Sequence, residues 1–310
     1  MTEARAPRVP EPVAAIDCGT NTIKLLVRRG DQDLVRVARM VRLGQDVDRT
    51  GRLADEALAR TFAAVEEYAG LLREHGVGRT RFCATSATRD AANADAFRAG
   101  VRERLGVEPE VLSGAEEAAL AFDGAVRNLA SAPATPVLVV DVGGGSTELV
   151  LSRSVGAPPD AAHSMDIGSV RLHERHVRHD PPTPAEVAAV LADVDAALAG
   201  CPVDASAAAT VVGVAGTVTT VAAGVLGLPA YDRAAIDQAV LSAPDVAAHV
   251  ARLVAMTVAD RRALPWMHPG RADVIGVGAL ILERVLARTG ADHLVVSESD
   301  ILDGIAWSLA

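Results

Sequence analysis

The sequence has 310 residues, half of them hydrophobic, which is enough to bury a sizeable core and to form two domains. The formal net charge of -10 excludes a generally basic surface of the kind that binds nucleic acid, so an anionic ligand would need a local basic site. The N-terminal segment lacks the apolar core of a signal peptide, and no apolar stretch reaches the ~18 residues of a membrane span. Cys18, Cys83 and Cys201 match no disulfide or zinc spacing, so we expect a cytoplasmic protein with neither membrane nor nucleic-acid partners.

The first predicted element is a hairpin in PVAAIDCGTNTIKLLVRR, which begins at residue 12. An apolar strand ends in Asp17, a turn rich in small hydroxyl and amide residues follows, and a second apolar strand begins near Thr22. Taken alone, an Asp-x-Gly turn of this type is most often an ordinary hairpin.

Helical spacing of apolar residues then predicts a helix from about Ala54 to His75, which we interpret as a core-facing helix. In RFCATSATRDAANADAF a strand breaks at residues 85–89, and a helix begins near Asn93. Hydroxyls and Arg89 at such a junction form a candidate anion site, and a surface arginine is an equally good interpretation.

The next predicted helix lies in EVLSGAEEAALAFDGAV, where Ser113 or Gly114 caps a first turn that carries Glu116 and Glu117. Paired glutamates in a first turn usually complement the helix dipole. The functional alternative is that one of them is a general base aimed at a water molecule.

The second hairpin repeats the first. PVLVVDVGGGSTELVLSR begins at residue 136 and aligns with the first hairpin without a gap. The aligned pairs include Asp17 with Asp141, Gly19 with Gly143, Thr22 with Ser146, Leu25 with Leu149 and Lys24 with Glu148. Such turns expose backbone N–H groups and hydroxyls that hold phosphate oxygens, and a divalent cation would offset the repulsion between phosphate and the aspartates. The repeat therefore predicts two facing hairpins that hold one phosphorylated ligand between two domains.

A densely basic stretch follows the second hairpin, with Arg171, His173, Arg175, His176, Arg178 and His179. In so acidic a chain it indicates a path for an anion, and a solvated helix face is nearly as good an interpretation. A helix follows in TPAEVAAVLADVDAALAG, and VVGVAGTVTTVAAGVLG repeats the pattern of strand, small-residue turn and hydroxyls. The C-terminal third predicts helix, strand and helix, and we place the division between two domains near residue 128.

Seven segments, taken in order, carry a resemblance to one family: AAIDCGTNTIKLLV, CATSATRDAAN, LSGAEEAALAF, VVDVGGGSTELV, MDIGSVRL, GVAGTVTTVAA and RADVIGVGALIL. Together they resemble the exopolyphosphatase/guanosine pentaphosphate phosphatase family over nearly the whole chain. The resemblance implies an α/β protein with two ribonuclease-H-like domains of the acetate and sugar kinase/actin type and an interdomain cleft. We place the domains at 1–128 and 129–310 and expect that the last helix packs back on the first domain. The resemblance also implies hydrolysis of terminal phosphoanhydride bonds with Mg²⁺ or Mn²⁺.

The resemblance further implies roles for particular residues. It makes Glu117 the catalytic base and gives Glu148 a part in assisting the metal or the water. It makes Asp17 and Asp141 the metal-binding residues. The phosphate-binding residues that it implies are Gly19, Thr20, Asn21, Thr22, Arg89, Gly143, Gly144, Gly145, Ser146 and Thr147.

Longer members of the family carry further C-terminal helical domains, so this sequence resembles the short, two-domain form, and we expect an exopolyphosphatase that favours short chains. The alternatives are a guanosine pentaphosphate 5'-phosphatase and a non-catalytic sensor of alarmone or polyphosphate. The intact carboxylates disfavour the sensor, and Glu117 and Glu148 favour water over a sugar as the phosphoryl acceptor. The expected partners are inorganic polyphosphate or, in the alternatives, guanosine penta- or tetraphosphate. A homodimer is expected only because two-fold pairing is common.

Overall fold

The computed structural model describes residues 10–309, which form two β-sheets with helices packed around them. The strands of the first sheet are Val13–Cys18 (β1), Thr22–Arg29 (β2), Gln32–Met40 (β3), Arg79–Ala84 (β4) and Glu110–Val111 (β5). The strands of the second sheet are Val137–Val142 (β6), Thr147–Ser152 (β7), Ala161–Met165 (β8), Thr210–Val214 (β9), Val240–Ser242 (β10) and His293–Val296 (β11).

Both sheets share one topology. The first has the strand order β3-β2-β1-β4-β5, and the second has the equivalent order β8-β7-β6-β9-β11, with β10 added at its edge. In each sheet the first two strands form an antiparallel hairpin, and the first strand pairs in parallel with the fourth. The repeat of the hairpin sequence is therefore a repeat of a whole α/β unit, which confirms the expected fold class.

The helices cover the sheets and connect their strands. In the first half they are Val47–Thr50 (α1), Asp55–Glu74 (α2), Ser86–Arg89 (α3), Ala94–Leu105 (α4) and Gly114–Arg127 (α5). In the second half they are Ser169–His176 (α6), Pro184–Gly200 (α7), Ala215–Val225 (α8), Arg233–Ile236 (α9), Ala243–Ala255 (α10), Val258–Arg262 (α11), Ile275–Thr289 (α12) and Ile301–Trp307 (α13). Within residues 10–309, none of the helices has both the length and the apolar character needed to cross a lipid bilayer.

Helix α5 lies between the two sheets. Phe122 and its neighbours on one face pack against Val139, Val150 and other residues of the second sheet. Ala121, on another face, joins α13 in a cluster that covers the first sheet at Ala15 and elsewhere. The last helix therefore packs on the first half of the chain, although it follows the second half in sequence.

Helices α5 and α13 approach each other through glycine. A Cβ atom on Gly124 of α5 would collide with the backbone carbonyl of Asp300, and one on Gly304 of α13 would collide with that of Leu120. A glycine in a helix interior costs about 0.5 to 1 kcal/mol relative to alanine. The close backbone contact explains why glycine stands at both positions.

Candidate active site

The turns of the two repeated hairpins meet at a cleft between the sheets. The predicted residues that line this cleft are Asp17, Gly19, Thr20, Asn21, Thr22, Glu117, Asp141, Gly143, Gly144, Gly145, Ser146 and Glu148. The structure thus brings together all the predicted site residues except two, Arg89 and Thr147, which do not line the cleft.

The glycines of the second turn allow the first half of the chain to approach. A Cβ atom on Gly145 would lie 2.5 Å from the hydroxyl oxygens of Thr20 and Ser86, and one on Gly144 would lie 3.1 Å from Cβ of Thr20. A side chain at Gly145 would displace the hydroxyl groups of Thr20 and Ser86, and one at Gly144 would press tightly on Thr20. The triple glycine therefore serves the contact between the two turns, and it also leaves the backbone of the second turn accessible in the cleft.

The two hairpins differ in the residue that faces the aspartate across the strands. In the first hairpin Asp17 pairs with Lys24, and the lysine Nζ lies 3.2 Å from Oδ2 of Asp17. In the second hairpin the equivalent Asp141 pairs with Glu148. The first half therefore neutralises its aspartate, whereas the second half places two carboxylates side by side.

The pKa values of the cleft carboxyls reflect this crowding. Burial raises the pKa of Asp141 to about 7 despite the opposing attraction of Lys24, and the nearby charges of Asp300 and Glu117 raise it further. Burial, together with Glu117 and Asp141, raises the pKa of Glu148 well above its usual range. The cleft therefore favours either protonated carboxyls or a bound cation near neutral pH.

The paired glutamates at the start of α5 have separate roles. Glu116 is exposed, and its Oε2 accepts hydrogen bonds from the backbone N–H and the hydroxyl of Ser113 at 2.9 and 2.7 Å, which completes a capping box. Glu117 is buried in the cleft, and burial raises its pKa to about 7 against the opposing effect of Arg89. A carboxyl with a pKa near the operating pH is suited to general base catalysis.

Arg89 contacts the predicted base and does not line the cleft. Its Nη1 donates to Oε2 of Glu117 and to the carbonyl of Leu112, both at 3.0 Å. The strand-to-helix junction that carries Arg89 therefore orients Glu117, and direct phosphate binding by Arg89 stays a prediction.

Thr147 corrects the prediction in another way. Its side chain is fully buried, and its hydroxyl donates to the carbonyl of Ile167 at 2.7 Å. The side chain of Thr147 thus supports the strand β7 and does not reach a ligand in the cleft. The neighbouring Glu148 does line the cleft, where its Oε1 accepts a hydrogen bond from the hydroxyl of Ser164 at 2.6 Å.

Sequence reasoning missed the roles of Lys24, Arg271 and Asp300. Lys24 Nζ donates to Oδ2 of Asp300 at 2.7 Å, and Asp300 and Asp17 hold the pKa of Lys24 above its usual value although burial alone would lower it. Arg271 lines the cleft, donates to the carbonyl of Gly216 at 3.3 Å, and forms no ion pair within residues 10–309. The hairpin alignment singled out position 24, and the RADVI segment contains Arg271, but no sequence pattern pointed to Asp300.

Two arginines of the basic stretch after the second hairpin are paired with carboxylates. Arg171 pairs with Asp48 at 2.8 Å and with Asp90, and Arg175 pairs with Asp48 at 2.9 Å and with Asp193 at 2.8 Å. These carboxylates neutralise the two arginines. Both arginines thereby connect α6, which follows the second hairpin, to the first half of the chain.

The oxygen ligands of the cleft suit a hard divalent cation. No group of three or more His, Cys, Asp or Glu side chains is arranged to hold a metal ion in the part of the chain from residue 10 to residue 309. Magnesium, however, is commonly held by one or two carboxylates together with substrate phosphates and water. Asp141, which Lys24 does not neutralise directly, fits this mode better than Asp17, and Oδ1 of Asn21 is a further buried acceptor without a partner.

Two equivalent sheets, each with a glycine- and hydroxyl-rich hairpin at a shared cleft, are the architecture of the actin-like fold. Comparison with known proteins makes the assignment more specific. The model of the Ppx/GppA phosphatase family matches residues 26–310, and the chain belongs to this family.

Relatives in the family match the chain almost end to end. Exopolyphosphatase 2 of Mycobacterium tuberculosis is 49% identical, over 96% of this chain and 98% of that protein. A crystal structure of an exopolyphosphatase-like protein is 46% identical, with a TM-score of 0.93 over 96% of this chain and 98% of its own. The exopolyphosphatase structure from Cytophaga hutchinsonii is 27% identical, with a TM-score of 0.87 over 96% and 97% of the two chains.

Proposed function

We propose that this protein is a metal-dependent exopolyphosphatase that releases the terminal phosphate of inorganic polyphosphate and favours short chains. The observation that carries the proposal is the buried pair Glu117 and Glu148, which lie in a cleft between two phosphate-binding turns. Carboxylates beside the reacting phosphate favour water as the acceptor. The relatives named exopolyphosphatase support the choice of substrate.

In the proposed reaction the two turns bind and orient the terminal phosphate through backbone N–H groups and the hydroxyls of Thr20, Thr22 and Ser146. Glu117 accepts the proton of a water that attacks phosphorus in line with the leaving oxygen, and Arg89 holds the Glu117 carboxylate in position. Such a base contributes typically about 10²- to 10⁴-fold to the rate.

A bound Mg²⁺ or Mn²⁺ would neutralise the charge on the phosphate oxygens and the leaving group. Asp141 and Asp17 would hold the ion, together with phosphate oxygens and water. Glu148 would assist by orienting water, through the carboxylate that Ser164 holds in place.

A guanosine pentaphosphate 5'-phosphatase is a second candidate, and one observation favours it. A larger cavity adjoins the cleft and is lined in part by Tyr231, Trp266 and Met267. Aromatic and apolar side chains of this kind would accept a base or sugar attached to the phosphates. This activity would place the protein in alarmone metabolism.

The test measures phosphate release with Mg²⁺ from tripolyphosphate, long polyphosphate, guanosine pentaphosphate and ATP. Glu117→Gln is expected to lose roughly 10²-fold or more of turnover while still binding tripolyphosphate, because glutamine keeps the shape but cannot accept the proton. Binding is followed by calorimetry. The matched control is Glu116→Gln, which removes the adjacent carboxylate but keeps a residue suited to the capping box.

Full turnover in Glu117→Gln, or an equal loss in Glu116→Gln, would contradict the assignment of the base. A preference for guanosine pentaphosphate would favour the second candidate. Binding without release from any of the four substrates would indicate a non-catalytic sensor.

A further inference from the structure

The phosphate cleft continues into the larger cavity that also contains Tyr231 and Trp266. Lys24 and Arg271 line both spaces, together with Thr22, Ala215 and Gly216. These two cations therefore stand at the junction between cleft and cavity. A polyphosphate chain whose terminal unit lies at the hairpin turns would meet them as it extends toward the cavity.

The cations that line the cavity are mostly neutralised already. The pairs are Lys24 with Asp300 at 2.7 Å, Arg36 with Asp303 at 3.2 Å and Arg233 with Glu298 at 3.2 Å. A polyanion gains little attraction from a cation that a fixed carboxylate already pairs, and the carboxylate itself repels it. The cavity thus offers further phosphates little attraction beyond that of Arg271, although it is large enough to hold them.

Asp300 lines the cavity and pairs there with Lys24 of the junction. Its Oδ1 accepts the backbone N–H of Leu302 at 3.0 Å as the N-cap of α13, and its Oδ2 accepts from Lys24. Asparagine and serine cap helices about as well as aspartate. Capping therefore does not require the negative charge, and the charge has a separate effect, which is to give Lys24 a second and closer carboxylate partner besides Asp17.

We propose that Asp300 is a specificity-determining residue that limits the length of the polyphosphate bound in the cleft. The inference rests on the proposed exopolyphosphatase function. Short chains lie at the two turns and gain their contacts there. A chain long enough to pass the junction meets the Asp300 carboxylate and a Lys24 that is already paired, and each added phosphate increases the repulsion.

The experiment compares kcat/KM for tripolyphosphate with kcat/KM for long-chain polyphosphate in the wild type, Asp300→Asn and Asp300→Ser. Both substitutions remove the charge and keep a capping side chain. The ratio of long-chain to tripolyphosphate kcat/KM is expected to rise roughly tenfold in both variants, as for the loss of one partly buried charge. The matched control is Asp204→Asn, because Asp204 caps the short 3-10 helix Ala205–Ala207 and lines neither space.

An unchanged ratio in both Asp300 variants, or an equal rise in Asp204→Asn, would overturn the inference. The affinities for the two substrates, measured by calorimetry, decide the same question without turnover. If the wild type releases no phosphate from either chain, the proposed function fails, and the affinity ratios still show whether Asp300 discriminates by length.

Discussion

Lys24 and Glu148 occupy equivalent positions in the two hairpins, and their opposite charges make the two halves of the cleft chemically different. Lys24 neutralises Asp17, whereas Glu148 adds a second carboxylate beside Asp141. The repeated fold thus supplies two glycine- and hydroxyl-rich turns, and divergence at one position concentrates the negative charge at the second turn.

At the scale of single residues, the raised pKa of Glu117 predicts how kcat/KM depends on pH. The base acts as a carboxylate, so kcat/KM for tripolyphosphate is expected to rise as the pH increases through about 7. Arg89 opposes the raised pKa of Glu117, so Arg89→Met should raise that pKa further and shift the rising limb to higher pH by roughly one unit. The measurement is a pH profile of kcat/KM for both proteins.

The control for this prediction is Arg81→Met, which removes an arginine of β4 whose ion-pair partner at 2.8 Å, Glu110, does not line the cleft. Its profile should match the wild type. A rising limb at the same pH in Arg89→Met would show that Arg89 does not set the ionisation of the base.

The sequence predicted most of this site because the turn residues are adjacent in the chain and the turns are repeated. It could not predict the contact between Lys24 and Asp300, whose residues are far apart in sequence and whose types are common at any surface. It also could not show that Thr147 faces inward, because the side-chain direction depends on where strand β7 begins.

At the scale of elements, the packing of α5 on α13 depends on two glycines. A side chain on Gly304 would collide with the carbonyl of Leu120 and separate the helices. Gly70, in the middle of α2, has no atom within 4 Å of the place where a Cβ would lie. Gly304 and Gly70 therefore both lie in helices, but only Gly304 is in close contact with the backbone of another helix.

Gly304→Ala should therefore lower the free energy of unfolding by about 1 to 3 kcal/mol, as overpacking does. Gly70→Ala should raise it by about 0.5 to 1 kcal/mol, because alanine favours the helix and meets no obstacle. Chemical denaturation followed by circular dichroism measures both. If the two variants had equal free energies of unfolding, the contact between α5 and α13 would accommodate the added methyl group without loss of stability.

The elements themselves were predictable where the pattern was long. Apolar spacing predicted α2 within a residue at each end, and the hairpin signal predicted β1, β2, β6 and β7. The ion pairs of the basic stretch could not be predicted, because the charge along one segment does not show which carboxylates the fold will place opposite it. Asp48 and Asp90 lie in the first half, far from Arg171 in sequence, and only the fold brings them together.

At the scale of the whole molecule, α6 holds the two halves together beside the cleft. Arg171 donates from Nε to the carbonyl of Gly145 in the second turn at 2.7 Å, and its Nη1 donates to Asp48 of the first half at 2.8 Å. Arg42 of the first half also pairs with Asp273 of the second half at 2.7 Å. These contacts join the two halves of the chain.

Arg171→Met is expected to open the cleft, because it removes the ion pairs that Arg171 forms with Asp48 and Asp90 of the first half. Hydrogen bonds to charged groups contribute about 1.5 to 3 kcal/mol each. The radius of gyration from small-angle scattering should increase, and KM for tripolyphosphate should rise roughly tenfold or more.

Arg178→Met is the control, since the Arg178 guanidinium is exposed and donates to the carbonyls of Glu174 and Val177 in its own segment. A scattering curve of Arg171→Met that superimposes on those of the control and the wild type would refute this account of closure. The division near residue 128, a cytoplasmic location and a homodimer stay predictions of the sequence.

The position of α13 also bears on how the protein is made. Ile301, Leu302 and Ile305 help to cover the first sheet around Ala15 and Leu26, yet they are synthesised long after it. At a translation rate of about 5 to 20 residues per second, that surface stays uncovered for on the order of ten seconds or more after α5 emerges from the ribosome. We therefore expect the nascent first half to need a chaperone until its last helix has been synthesised.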